Sequence, residues 1–386
     1  MTFLLLIFML LLYYSLRNRS YKSGSKFFIS IISIVLIVLS GLRHEGVGND
    51  TYAYMLNYVN NSNLSWEYVF DDFVRRFLSP MGNGEKDPAY LILIKIMHIL
   101  HINVRLYLFV IATILLIPLG VFVYRNSKNL KTVLFSYCLY VTLFYGYLPN
   151  SAIRQSIALS FVLWAYLYII DKEHIFISIC LIVIGSMFHK SALITLIIIP
   201  FLYIDNIQFF YKLALIPFSA ILIFPTTIAQ FIVGDYDIYS GYSSGDYYTN
   251  RSRPYIIILL ISFFYYLGWI YIKNFDRKKI ACHQKTLLIG CAFTFMLVPL
   301  IWVNPSALRI ISYFCPCMAI IVGYALSDIK NKNIIYVLVI ISFLYKSISS
   351  FGEYHFMWEN MKLHERYAEN IVEKYEVKKT ENIYYV

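Results

Sequence analysis

Three short polar turns carry residue types that could bind an anion and move a proton. They are centred on Arg154, on His189 with Lys190, and on Arg309. A guanidinium group matches the oxygens of a phosphate or pyrophosphate through parallel hydrogen bonds. An imidazole titrates near neutral pH and can take a proton from a sugar hydroxyl, although a lone histidine can also be structural. These turns therefore predict a pyrophosphate site with a nearby general base.

Two of the turns are predicted to begin helices. Asn150 and Asn304 are the expected N-caps, and Pro305 suits the first position of a helix. Arg154 and Arg309 would then lie in a first turn, where the helix macrodipole disfavours a cation. An anion shared with the free backbone N–H groups explains that placement. The alternative is that both arginines extend to lipid headgroups.

A fourth polar cluster occupies residues 41–54, directly after an apolar run. Arg43 is a further candidate for the anion, and Tyr52 is a candidate for contact with a sugar. Glu45 and Asp50 are rival candidates for the general base. Asp50 could instead serve as the N-cap of the helix that follows.

The composition indicates a polytopic α-helical membrane protein. Apolar residues make up 59% of the chain, charged residues 14%, and the mean hydropathy is +0.63. Soluble domains carry about a quarter charged residues. The net charge of +11 is spread over short clusters between apolar blocks, as topology signals are, so no nucleic-acid partner is expected. The six cysteines show neither a metal-ligand spacing nor a disulfide framework.

About twelve apolar blocks are predicted to cross the membrane, because a helix of about 20 apolar residues spans a bilayer. They lie at 2–16, 27–42, 104–124, 132–149, 155–170, 174–189, 191–204, 213–233, 254–273, 286–303, 310–327 and 334–351. The segment 89–101 is interrupted by Lys95 and His98, and is predicted to lie in the membrane interface.

The distribution of lysine and arginine predicts the orientation of these spans. The loops on the side of residues 17–26 are richer in basic residues, which indicates the cytoplasmic side. The outer side then carries the long loops 43–103 and 234–253. Residues 1–351 form one transmembrane domain, and 352–386 form a polar tail.

The outer loop 234–253 is rich in tyrosine, glycine and aspartate. Tyr242 and Asp246 are candidates for sugar binding, since aromatic faces stack on sugar rings and carboxylates bond to hydroxyls. The alternative is that tyrosine is simply enriched at membrane interfaces.

Five motifs in order along the chain resemble those of the EpsG family, the Wzy-like polymerases of bacterial surface polysaccharides. They are Gly41-x-Arg43-x4-Gly48-x-Asp50-x-Tyr52-x-Tyr54, Asp87-Pro88-Ala89-Tyr90, Arg154-Gln155-x2-Ala158, His189-Lys190-Ser191-Ala192-Leu193-Ile194 and Arg309-x3-Tyr313-Phe314. Ala89 stands where the family usually has glycine. The resemblance covers residues 41 to about 314.

The resemblance implies a membrane glycosyltransferase with a GT-C-like polymerase and ligase architecture. Its donor and acceptor would be undecaprenyl-pyrophosphate-linked oligosaccharides, polymerised into O-antigen or capsule at the outer face of the bacterial inner (plasma) membrane. The growing chain would move from its lipid carrier onto the non-reducing sugar of a new unit. No cofactor and no metal are expected. Membrane lipid is an expected partner, and a chain-length regulator of the Wzz type is a candidate partner.

The resemblance also implies roles for the polar turns. Arg154 and Arg309 are expected to stabilise the departing pyrophosphate, with Arg43 assisting. His189 is expected to deprotonate the acceptor hydroxyl. Tyr313, in the last motif, is a candidate for sugar contact. Lys190 either serves the phosphates or anchors its turn.

Three other functions fit parts of the pattern. A flippase or other transporter would be expected to show ionisable residues deep in several spans, or paired broken helices. Here the predicted span interiors are nearly free of charge apart from Lys346. A membrane acyltransferase would place its histidine early, on a cytoplasmic-side helix. An O-antigen ligase shares the donor, and only the family motifs separate it from a polymerase.

Overall fold

The computed structural model describes residues 1–48, 50–78, 87–171, 174–224, 227, 255–274, 282–303, 307–328, 339 and 354–359. Several predictions fall outside these residues. They concern Tyr242 and Asp246 in the outer loop 234–253, the predicted N-cap Asn304 with Pro305, the last predicted span 334–351, and most of the tail 352–386.

The described residues are helical, which confirms the predicted all-α class, and no strand occurs among them. In chain order the helices are α1 (Thr2–Leu16), α2 (Tyr21–Gly41), α3 (Thr51–Asn60), α4 (Trp66–Leu78), α5 (Ala89–Ile99), α6 (Val104–Asn126), α7 (Leu130–Tyr140), α8 (Ile153–Asp171), α9 (Ile175–Phe188), α10 (Ile198–Phe201), α11 (Ile207–Leu213), α12 (Leu215–Ile223), α13 (Tyr255–Asn274), α14 (Cys282–Leu297), α15 (Leu300–Val303), α16 (Leu308–Ile311) and α17 (Cys315–Asp328). A π-helix, Val141–Tyr145, extends α7, and a 3-10 helix, Lys190–Ile197, precedes α10.

Five helical stretches in the described part of the chain are long and apolar enough to span a membrane. They are Tyr21–Gly41, Val104–Asn126, Ile153–Ile170, Tyr255–Lys273 and Gln284–Trp302. Seven shorter apolar stretches accompany them: Thr2–Leu16, Ala89–Ile99, Leu130–Tyr145, Ile175–Phe188, Lys190–Phe201, Ile207–Ile223 and Cys315–Ser327. The count of about twelve spans stays a prediction.

Asparagine side chains cap several helix starts, because their carbonyl oxygens accept from otherwise unpaired backbone N–H groups. Asn103 accepts from the amide of Leu106 at 2.9 Å, and Asn129 accepts from Thr132 at 2.9 Å. Asn150 does not have the N-cap role that the sequence predicted. Helix α8 begins at Ile153, and the side-chain oxygen of Asn150 instead accepts from the Ser40 hydroxyl at 3.0 Å.

The bundle buries many tyrosines, and several of their hydroxyl groups donate to backbone carbonyls. Tyr145 donates to the carbonyl of Leu36 at 2.7 Å, and Tyr166 donates to that of Tyr313 at 3.1 Å. A buried tyrosine needs such a partner for its hydroxyl. These bonds fix α7 against α2, and α8 against the turn before α17.

The bundle has two polar ends, separated by the length of its spans. Helix α6 extends over 23 residues, which at about 1.5 Å per residue is roughly 35 Å. At one end Lys128 donates to the Tyr271 hydroxyl at 2.8 Å, and Tyr21 donates to the Ser127 carbonyl at 2.5 Å. Residues 17–26 and 125–131, both predicted to be cytoplasmic, therefore meet at this end.

Helices α3, α4 and α5 all belong to the opposite end. Asp87, just before α5, pairs with Arg154, and Arg105, just after it, pairs with Glu45. Both ends of α5 thus lie at the same end of the bundle, which agrees with the prediction that 89–101 does not cross.

Candidate active site

A cavity of about 400 Å³ opens at the end of the bundle that carries α3, α4 and α5. Its wall combines one face of α3, one face of α4, the first turns of α5 and α8, and the turns at residues 189 and 309. The polar and aromatic side chains that line it are Asp50, Tyr54, Asn57, Asn61, Tyr68, Asp72, Arg76, Asp87, Tyr90, Arg154, Gln155, His189 and Arg309.

Arg154 lies in the first turn of α8 and is held from two sides. Its Nη1 atom is 2.6 Å from Oδ2 of Asp87, and its Nε donates to the Tyr54 hydroxyl at 3.1 Å. The guanidinium carbon also lies 5.8 Å and 5.9 Å from the ring centroids of Tyr54 and Tyr90. Charge-assisted bonds of this kind fix the orientation of the guanidinium group, which still lines the cavity.

Asp87 is buried and adopts a left-handed backbone conformation, with φ of +61°. Aspartate tolerates this region better than most residues with a Cβ. The next residue, Pro88, directly precedes α5. This turn directs the Asp87 carboxylate toward α8, so that α5 and α8 are joined by an ion pair at the cavity.

Gln155 joins the two arginine-bearing turns. Its amide nitrogen donates to the backbone carbonyl of Arg309 and to the hydroxyl of Ser312, both at 2.6 Å. Its amide oxygen accepts from the Tyr147 hydroxyl at 3.0 Å, and that hydroxyl accepts from Nε of Arg309 at 3.0 Å. This network sets the distance between Arg154 and Arg309.

His189 ends α9 and is oriented through its Nδ1 atom. That atom lies 2.5 Å from the Ser191 hydroxyl and 3.4 Å from the Tyr313 hydroxyl. Donor and acceptor roles at Nδ1 depend on the tautomer of His189. In the tautomer with the hydrogen on Nδ1, the Ser191 oxygen accepts it and the lone pair lies on Nε2, which is the form that a general base requires.

Asp50 precedes α3, which begins at Thr51 as predicted, but its side chain makes no capping hydrogen bond. Asp50 therefore occupies the predicted N-cap position without a side-chain cap, and it also lines the cavity. The turn before it depends on Gly48, which has φ of +86° and packs against the backbone of Asn150. A Cβ at this position would collide with the Asn150 carbonyl.

Arg43 and Glu45 do not line the cavity. Arg43 is fully buried, donates to the carbonyl of Ser40 and contacts the Thr51 hydroxyl at 3.4 Å. Burial lowers the pKa of its guanidinium to about 10. Glu45 pairs with Arg105 at 3.3 Å. Both side chains bond to neighbouring parts of the bundle and so hold residues 41–48 in place, while Nη2 of Arg43 is buried without a hydrogen-bond partner among the described residues.

The C-terminal segment 354–359 packs against this same stretch. The amide of His44 donates to the carbonyl of His355, and the amide of Met357 donates to that of Leu42, each at 2.8 Å. The start of the polar tail therefore lies at the cavity end of the bundle, the end that was predicted to face outward.

The remaining predicted residues lie around the cavity rather than in its wall. Lys190 begins the 3-10 helix after His189 and Tyr52 is partly buried in α3, but neither lines the cavity. Tyr313 is fully buried and contacts His189, so its hydroxyl reaches the cavity only through that imidazole.

Sequence reasoning missed the residues that position the arginines. Asp87 and Gln155 stand inside the quoted motifs, yet nothing local shows that one pairs with Arg154 and the other bonds to Arg309. Among the described residues, no group of three or more His, Cys, Asp or Glu side chains is arranged to hold a metal ion.

Comparison with known proteins identifies one family. A model of the EpsG family matches residues 26–362 of the chain. No curated protein and no solved structure matches it.

Proposed function

The chain belongs to the EpsG family of Wzy-like polysaccharide polymerases, and on that premise we propose that it polymerises undecaprenyl-pyrophosphate-linked oligosaccharides. The reaction would take place at the outer face of the bacterial plasma membrane, and would build O-antigen or capsule. One observation supports this most strongly. Arg154, His189 and Arg309 come from three distant turns and line a single cavity.

Arg154 and Arg309 are the residues proposed to hold the pyrophosphate. Asp87 and Tyr54 orient one guanidinium group, and Tyr147 orients the other. Oriented donors stabilise negative charge that develops on a leaving group without reorganising during the reaction. Arg43 supports residues 41–48 and is not assigned to the substrate.

His189 is the proposed base. Its Nε2 atom would accept the proton of the acceptor hydroxyl while that oxygen bonds to the anomeric carbon of the growing chain. The bond from the anomeric carbon to the pyrophosphate oxygen breaks, and undecaprenyl pyrophosphate leaves with its electron pair. Ser191 would keep the imidazole in the required tautomer. Asp50 lines the same cavity and is the rival base.

Substitution in the native host tests this proposal. We expect His189→Ala and Arg154→Ala to leave single repeat units in place of long polymer on a gel of surface polysaccharide. His174→Ala and Arg125→Ala are matched controls, since these residues belong to the opposite end of the bundle. Normal polymer from both cavity variants would exclude the proposal.

The deletion phenotype separates the alternative functions. Loss of a polymerase leaves single repeat units on the final acceptor, loss of a ligase leaves none, and loss of a flippase blocks export. A Wzz-type chain-length regulator is the proposed protein partner, and its loss should change polymer length without abolishing polymerisation.

A further inference from the structure

Helix α4 has two faces of opposite character, and within the described part of the chain only one of them has a partner. Ser65 begins the helix by accepting from the amide of Tyr68 at 3.2 Å. Glu67 in the first turn and Arg75 and Arg76 in the last complement the helix macrodipole. The cap and the end charges therefore stabilise the helix without using the side chains of its two faces.

The polar face of α4 is a wall of the cavity. Asp72 is buried and bonds to Arg75 and Arg76, each at 2.6 Å. Asp72, Arg76 and Tyr68 line the cavity together. Val69 is also buried, and α4 packs against α5 on this side.

The opposite face is apolar and exposed. Trp66, Phe70, Phe73 and Phe77 recur at the spacing of one helical face, and they stack in pairs with centroid distances of 5.4 Å and 5.8 Å. Phe70 is 54% exposed and Phe77 is 56% exposed. We call the exposed set Trp66, Phe70 and Phe77 the aromatic face.

The position of α4 identifies what covers the aromatic face. The helix belongs to the connection between α2 and α6, two helices long and apolar enough to span the membrane. Exposed apolar side chains continue along the chain into α5 and the first turn of α6, at Ile99, Leu100 and Leu106. Since side chains exposed on a membrane-spanning helix face lipid, lipid is the expected neighbour of exposed apolar side chains at this end of the bundle.

The composition of α4 also indicates that lipid covers the aromatic face. A helix that lies in the membrane interface has low net hydrophobicity, Trp, Phe and Leu on one face, and charges on the other. Exposed Asp71 and Arg75 lie at least a quarter turn around the helix from Phe70 and Phe77, where they can remain in water. Tryptophan at the edge of the face is typical of the headgroup level.

We propose that α4 lies in the outer membrane interface with its aromatic face inserted among the lipid acyl chains. The cavity then opens at the level of the headgroups, with α4 between it and the bilayer. If the proposed function holds, a lipid-linked donor keeps its isoprenoid chain in the bilayer and passes its pyrophosphate beside α4 to Arg154. The position of α4 in the membrane interface does not depend on the proposed function. The path of the donor beside α4 does depend on it.

Spin-label accessibility tests the seating of α4. Phe70→Cys and Phe77→Cys report the aromatic face, and Asp71→Cys and Arg75→Cys on the same helix are matched controls. Each variant is labelled with a nitroxide and reconstituted in vesicles of phosphatidylethanolamine and phosphatidylglycerol. The wild-type chain gives the background from its six native cysteines.

We expect labels at positions 70 and 77 to collide several-fold more with dissolved oxygen, and labels at 71 and 75 to collide several-fold more with an aqueous nickel chelate. Equal access of the chelate to all four positions would overturn the proposal. Spin–spin broadening at 70 and 77 that is lost on dilution with unlabelled protein would show instead that a second copy covers the face.

Donors with isoprenoid chains of different length test whether the donor passes beside α4. We expect Phe70→Asp with Phe77→Asp to lower turnover of the long-chain donor at least tenfold, while a short, water-soluble isoprenoid donor is used as by the wild type. An equal loss with both donors would exclude the path beside α4. If the wild type polymerised neither donor, the proposed function would fail, and the spin-label result would stand independently.

Discussion

Asp87 is the residue on which the position of Arg154 most depends. Its carboxylate is almost fully buried and makes a charged hydrogen bond of 2.6 Å. Without it, the guanidinium group would keep Tyr54 as a partner but lose its opposing charge. Removing one partner of a buried charged pair costs more than the pair contributes, because the other charge stays uncompensated.

We expect Asp87→Asn to lower the free energy of unfolding by about 1–3 kcal/mol, the usual cost for a buried polar group left poorly paired. Polymerisation should fall at least tenfold, because Arg154 loses its fixed orientation. Thermal unfolding in detergent and polymer length on a gel measure the two effects. Asp71→Asn, an exposed neighbour on α4, should change neither.

Ser191 should act on catalysis through His189. We expect Ser191→Ala to lower kcat by about ten- to a hundredfold, within the usual contribution of general base catalysis, and to leave KM for the donor nearly unchanged. The reason is that Nδ1 of His189 loses the Ser191 hydroxyl, which lies 2.5 Å away, while Arg154 and Arg309 keep their hydrogen-bond partners. Ser186→Ala is the control, since that exposed hydroxyl bonds only to the carbonyl of Val183 in α9 among the described residues. A rise in KM with kcat unchanged would contradict a positioning role.

At the level of elements, the turn between α2 and α3 has one backbone position that only glycine fits well. Gly48 has φ of +86° and contacts the backbone of Asn150, which leads into α8. Gly24 offers a contrast, because a Cβ there would meet its nearest atom, the carbonyl oxygen of Leu16, at an ordinary 3.4 Å.

We expect Gly48→Ala to destabilise the protein by about 1–2 kcal/mol from the left-handed backbone alone, and further through the collision with Asn150. Asp50 would shift with the turn, so polymerisation should also fall. Gly24→Ala should be neutral or slightly stabilising, as alanine favours a helix. Equal melting temperatures for the two variants would show that the turn adapts.

At the level of the whole molecule, alternating helices bring the cavity turns to one end and the basic turns to the other. The cavity gathers residues from Asp50 to Arg309, while Lys128 meets Tyr271 and Tyr324 at the far end. With five candidate spans and membership of the EpsG family, the chain is a multi-pass membrane protein.

The two ends should face opposite sides of the membrane. In intact cells we expect a membrane-impermeant thiol reagent to label Asn61→Cys, at the cavity, but to label Arg125→Cys only after permeabilisation. The physical reason is the excess of basic residues around Arg125, which retains those loops in the cytoplasm. The unsubstituted protein gives the background labelling, and the reverse pattern would invert the orientation.

The sequence by itself determined the all-α class and the approximate places of most described helices, because apolar blocks and their punctuation are local properties. It also indicated that Arg154, His189 and Arg309 share one end, since alternate turns of a bundle must lie on the same side. Only the tertiary structure decided what each side chain does there. Asn150 bonds to Ser40 rather than capping α8, Arg43 is buried, and Asp87 holds Arg154.

The choice between α4 and α5 as the interfacial helix also required the tertiary structure. The sequence indicated an interfacial helix at 89–101, which stays a prediction. Helix α5 buries Tyr90, Ile94 and Met97, whereas α4 exposes the aromatic face. Both segments contain apolar residues at helical spacing, so pattern alone does not separate them. The difference is whether a neighbouring helix covers that face, and residues far apart in the chain determine this.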